Sequence, residues 1–147
     1  AHITEFKFKG RLIKLIKPTT YMNLSGKAVK HWVISEQIPL ENILIISDDL
    51  NIEFGRLRLK EQGSDGGHNG LKDITAQLGT QKYSRLRIGI GNNFNRGNQV
   101  NYVLGKWLAS EEELLPQILS KSADACLSFC YAGIQNTMNQ YNSFKIE

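Results

Sequence analysis

The apolar positions of the chain fall into short runs separated by turn residues. RLIKLI, residues 11–16, is one such run, closed by Lys17-Pro18. Proline disfavours helix at the residue before it, so this run predicts a strand. The irregular segment PTTYMNLSG follows, and Ser25 offers a hydroxyl to cap a helix over about 26–37. Ala28, Val29, Trp32 and Val33 give that helix one apolar face. ILIIS, residues 43–47, is continuously apolar and runs straight into Asp48-Asp49. Such a run suits a strand buried on both faces of a sheet. RLRLK, residues 56–60, alternates basic and apolar residues, which predicts a half-buried strand with a basic face.

The glycine-rich stretch GSDGGHNGLKD, residues 63–73, leads into a helix marked by Leu71, Ile74 and Leu78 and ended by Gly79. RLRIGIG, residues 85–91, predicts a further strand with Arg85 and Arg87 on one side, and NNFNRGNQ a polar loop. Ser110 and Glu113 have capping-box spacing before a long helix. Leu114, Ile118, Ala125 and Phe129 lie on its apolar face, with Pro116 placed in its first turns. A shorter helix is expected near 134–142. The order strand, helix, strand, strand, helix, strand, helix predicts one α/β domain over residues 1–147, with a mixed sheet between helices.

Composition narrows the class. A chain of 147 residues, 41% hydrophobic and 22% charged, suits one soluble globular domain. It holds no run of 18 apolar residues, so no membrane span is expected. The opening AHITEFKFKG lacks the apolar core of a signal peptide, does not begin with Met and reads like the middle of a protein. A net charge of +4 permits a polyanionic partner without demanding one. Cys126 and Cys130 stand four apart with no further Cys or His to complete a metal set. Reduced thiols, no metal and a cytoplasmic location are the resulting expectations. His31 falls outside its helix's apolar face and reads as a solvated residue.

KPTTYMNLSGKAV (17–29), ISDDLNIEFG (46–55), GGHNGLKDI (66–74), RLRIGIG (85–91) and YVLGKW (102–107) occur in that order. Together they resemble the bacterial-type peptidyl-tRNA hydrolases, from about residue 11 to the C-terminus. The resemblance implies an α/β fold with a central mixed sheet surrounded by helices. It implies hydrolysis of the ester between a peptide and the terminal ribose of tRNA, releasing tRNA for translation, by a monomer without metal or cofactor.

The sequence departs from that pattern in one respect. The family carries an earlier GNPG-like turn and a TRHN-like segment whose His is the catalytic base, and residues 1–147 contain neither. The histidines are His2, His31 and His68. The expectation is therefore a family member lacking its base-bearing segment and first strand, with weak turnover and an open sheet edge that invites pairing. The alternative is a non-hydrolytic RNA-binding relative, of the kind that assists intron splicing in plant organelles. Asn23, Asp48 and Asn69 favour the enzyme line; the absent His favours the alternative.

Ester hydrolysis needs an activated water, a base and donors for the developing oxyanion. The resemblance makes Asp48, at the end of a strand, the carboxylate that orients the base, ahead of Asp49. The plain reading of Asp48 is a loop cap. Asn23 and Asn69 are neutral amides that the resemblance places in the substrate cleft, against a plain reading as helix caps. Tyr21 and Met22 flank the cleft by the same resemblance, with Tyr21 suited to stacking on the terminal adenine. His68 either supports the glycine loop or touches substrate; a replacement base is the third possibility. Lys60 and Arg87 match the basic residues that clamp a tRNA phosphate, with Arg58 and Arg85 as additional candidates. A lone Lys or Arg is ordinarily a solvated charge.

Overall fold

The computed structural model describes residues 1–91 and 107–146. The expected NNFNRGNQ loop and all of the YVLGKW segment except Trp107 lie outside the described residues.

The chain opens with a hairpin of β1 (His2–Phe8) and β2 (Arg11–Lys17), paired antiparallel from His2↔Lys17 to Phe8↔Arg11. Its turn is Lys9-Gly10, both with positive φ (50° and 78°), as a two-residue hairpin turn with matching twist requires. β1 is an addition to the elements expected from sequence. Its apolar residues Ile3, Phe6 and Phe8 do not alternate regularly, and most of its residues are exposed. Pairing holds it instead: Lys14 reaches Glu5 across the hairpin at 2.7 Å and Glu36 at 2.6 Å. The Phe8 ring packs on Tyr131 with centroids 5.8 Å apart.

A single 3-10 turn, Met22–Leu24, leads into α1 (Ser25–Ser35). Ser25 does not cap this helix as expected. Its hydroxyl donates to the Met22 carbonyl at 2.7 Å, and the Gly26 N–H is taken by Asp73 Oδ2 at 2.6 Å. A carboxylate at a helix N-terminus meets both an orphan donor and the positive end of the dipole. That contact also ties α1 to α2 (Asn69–Leu78).

The central sheet is mixed. β3 (Leu44–Asp49), β4 (Leu57–Lys60) and β5 (Ser84–Gly89) are ordered β3-β5-β4, with β3 parallel and β4 antiparallel to β5. Leu57, Leu59 and Leu86 pack with Ile118 and Ala125 of α3 (Ala109–Ala132) and with Tyr141 of α4 (Ile134–Tyr141). A second cluster joins Leu71, Ile74 and Tyr83 to Val29 and Ile45. Helices thus cover both sides of the sheet. β3 is less buried than its apolar run suggests: it is an outer strand of this sheet, and Ile46 is 50% exposed. At the other margin the Asn142 amide mimics a neighbouring strand. It accepts from Leu59 N at 2.6 Å and donates to Leu59 O at 3.0 Å.

α3 begins two residues earlier than its capping-box signal suggests. Leu108 precedes it, and Glu111, not Glu113, turns back to accept from the Leu108 N–H at 3.1 Å. Ser110 is helical, and Pro116 lies inside the helix beyond its first turn.

Candidate active site

Successive side chains of a strand point to opposite faces, and the end of β3 uses this to separate two carboxylates. Asp49 is 8% exposed. Its Oδ2 accepts from Arg87 Nη1 at 3.1 Å and its Oδ1 from the Asn51 N–H at 2.7 Å. The other amino group of Arg87 donates to the Ser64 carbonyl. Arg85, fully buried, donates to the carbonyls of Gly63 (2.9 Å), Ser64 (3.2 Å) and Gln81 (2.6 Å). The two guanidiniums thereby fasten the glycine loop to the sheet. Gly66 and Gly67 continue the loop with φ of 61° and 84°, a region costly for residues with a Cβ.

Asp48 takes the other direction. It is half-buried, and its Oδ1 lies 2.9 Å from His68 Nε2. His68 is the N-cap residue of α2, its Nδ1 accepting from the N–H groups of Gly70 (3.0 Å) and Leu71 (3.3 Å). The hydrogen bond from His68 holds the Asp48 carboxyl below the usual carboxylate range, against burial acting the other way. Asp48 and His68 share the wall of a cavity of about 310 Å³ with Met22, Ile46, Phe54 and Trp107. Gly70 is required for this closeness: a Cβ there would stand 2.7 Å from Met22 Sδ and 2.9 Å from His68 Cε1.

The remaining residues expected at the site divide clearly. Asn69 is the first residue of α2 and exposed; the capping expected of it falls to His68. Asn23, exposed, sits in the 3-10 turn that packs against α2, beside Met22 and the 83% exposed Tyr21. Lys60 lies opposite Arg85 and Arg58 opposite Arg87 in the β4–β5 register. Both β4 residues are exposed, and neither makes an ion pair among the described residues. Arg87 departs from the clamp expected of it, because its guanidinium is buried and both amino groups are taken. Arg85 is committed in the same way. His31 is exposed, in line with the solvated reading. Cys126 and Cys130 are free, and burial pushes the Cys126 thiol up to about 11, which leaves it unreactive. The sequence carried one unread signal: a His two residues before the first buried position of α2 can cap that helix through Nδ1.

The family model for peptidyl-tRNA hydrolase matches residues 1–147. The chain belongs to the peptidyl-tRNA hydrolase family. It is 54% identical over 141 residues to the peptidyl-tRNA hydrolase of Parabacteroides distasonis, covering 96% of this chain and 75% of that protein. The hydrolase of Phocaeicola vulgatus is 57% identical over 134 residues, covering 91% and 72%. The crystal structure of peptidyl-tRNA hydrolase from Acinetobacter baumannii superposes with a TM-score of 0.88 at 35% identity, covering 96% of this chain and 71% of that one. These relatives of the peptidyl-tRNA hydrolase family give no support to the non-hydrolytic alternative.

Proposed function

We propose that this peptidyl-tRNA hydrolase family member acts on the peptidyl ester through a cleft formed by the end of β3, the start of α2 and the Met22–Leu24 turn. The observation that carries the reading is the Asp48–His68 contact at the wall of the cavity. Asp48 orients and stabilises an imidazole that takes the proton of the attacking water. That imidazole is the one in the TRHN-like segment of the family, a motif residues 1–147 do not contain. Asn23 and Asn69 offer uncharged donors and acceptors to the water and the ester. Tyr21 supplies an exposed ring for the terminal base, and Lys60 with Arg58 an outward basic edge for a tRNA phosphate. Arg87 holds the loop that carries the site. The protein works in the cytoplasm as a monomer. Within the central sheet, the margin left for pairing is β3, because Asn142 occupies the margin of β4.

The test is turnover of peptidyl-tRNA by the chain alone and with a TRHN-bearing segment joined before Ala1. The joined protein turns over at least a hundredfold faster, since a positioned general base contributes roughly 10²–10⁴-fold. Changing the joined motif's His to Ala removes that gain. Full turnover by residues 1–147 alone, abolished by His68→Ala, overturns this choice of base.

A further inference from the structure

The wiring of His68 reaches beyond a role in lining the cleft. Its backbone is held on both sides: the N–H donates to Asp65 O at 3.0 Å, and the carbonyl accepts from Lys72 N at 3.0 Å. The ring is then confined by three polar neighbours. Two backbone N–H groups point at Nδ1, so that atom must be bare. A neutral imidazole carries one proton, so it sits on Nε2, facing a carboxylate that only accepts. The other tautomer would set an N–H against two N–H groups and turn a bare nitrogen to Asp48, losing all three contacts at once.

We infer that His68 is a positioning residue with a fixed tautomer: its bare Nδ1 holds the start of α2, and its Nε2–H holds the Asp48 carboxylate in place at the cavity wall. The bearing of this device on catalysis rests on the hydrolase reading; its geometry does not. No other side chain donates to Asp48 among the described residues, so the imidazole fixes one oxygen and leaves the carboxylate able to accept a second donor. The nearby charges are otherwise engaged. Asp49 is paired with Arg87 on the opposite face, and Asp65 accepts from the Gly67 N–H at 2.8 Å. A ring so used is excluded as the general base, because taking a proton at Nδ1 would break the helix cap. The arrangement also gives the GGHNG sequence a physical meaning. The glycines bring the chain round, His68 joins helix to carboxylate, and Gly70 leaves room for the ring.

Two crossed substitutions separate the two contacts. Asn at position 68 puts an acceptor where Nδ1 stands and nothing where Nε2 stands. Gln reaches the Nε2 position and leaves the helix start without its acceptor. In the unaltered protein at mildly alkaline pH, long-range ¹H–¹⁵N NMR shows His68 as a single tautomer protonated at Nε2, while exposed His31 averages between forms. In His68→Asn, the Asp48 carboxyl titrates at higher pH than in the parent while the Leu71 amide keeps its protection from hydrogen exchange. In His68→Gln, Asp48 titrates as in the parent while that amide exchanges about fivefold faster, the loss expected of one helix cap. A tautomer-averaged His68, or an Asp48 titration unmoved in His68→Asn, overturns the inference. The ring measurement needs no variant, so a variant that fails to fold leaves it decisive. Absence of peptidyl-tRNA cleavage in every form, with the NMR signature intact, overturns the hydrolase reading and leaves the positioning role standing.

Discussion

Asp48 and Asp49 are consecutive residues of one strand, and the structure gives them opposite duties. Asp49 faces inward to a buried arginine and the Asn51 backbone, and has almost no exposure. Asp48 faces the cavity, half open, with one neutral donor on it. The strand's period of two makes the difference. On one side a carboxylate neutralises the strut beneath the glycine loop; on the other a carboxylate remains free enough to act on a reacting group. A site that must be both rigid and accessible can be built from two identical side chains when the sheet sends them to different environments.

The largest expected effect breaks the inward side. Asp49→Ala leaves Arg87 buried without its counter-charge, and removing one partner of a buried pair costs about 3–5 kcal/mol. Urea unfolding should show a loss in this range. A loss below about 1 kcal/mol would mean that the loop carbonyls alone satisfy Arg87. Asp48→Asn tests the outward side. In a form carrying the TRHN-like segment it should lower kcat on peptidyl-tRNA about a hundredfold or more, equivalent to roughly 3 kcal/mol of transition-state stabilisation, with a much smaller effect on stability. If the two variants exchange these phenotypes, the assignment of the two faces is wrong.

The two carboxylates also mark what the sequence made legible. Its place in the family motif favours Asp48 over Asp49. The physical reason, alternation at a strand end next to a buried arginine, needed the partner strand. β5, α2 and α3 are readable because their apolar positions are dictated by burial, as in Leu86, Leu71, Ile74 and Ile118. β1 was not, because cross-strand pairing and Lys14–Glu5, rather than an apolar face, hold it. The helix caps drawn from Ser25 and Ser110 failed for different reasons: the acceptor at α1 comes from Asp73, which is remote in sequence, while at α3 the neighbouring Glu111 serves a cap at Leu108. Arg87 matched the phosphate clamp by position, yet a basic residue on a strand gives no sign of whether its guanidinium faces water or a carbonyl.

The basic residues sharpen the same contrast at smaller scale. Lys60 and Arg58 point outward without ion pairs, whereas Arg85 and Arg87 are used internally. Lys60→Ala should therefore weaken tRNA binding and lower the slope of log affinity against log salt by roughly 0.7–0.9, the loss of one phosphate contact, with the fold unchanged. Arg87→Ala should instead lower the melting temperature and loosen the glycine loop. Binding titrations at several salt concentrations, read beside thermal melts, separate the two. An unchanged slope in the Lys60→Ala, Arg58→Ala double variant would remove β4 from the tRNA contact.

The smallest effect concerns acid. The hydrogen bond from His68 lowers the Asp48 pKa in the folded chain. A carboxyl with a depressed folded pKa adds stability that is fully present above its unfolded value, about pH 4, and lost as pH falls through the folded one. The parent should thus lose stability more steeply than Asp48→Asn on going from pH 5 towards pH 3, with the two profiles parallel between pH 6 and 8. His68→Asn should flatten the same acid limb, because it removes the donor while keeping the carboxylate. Because Asp48 is partly exposed, the difference should be modest and is best read from melting temperatures across a fine pH series. A limb equally steep in all three proteins would place the acid sensitivity elsewhere and leave Asp48 without the energetic tie to His68 that its position on the open face implies.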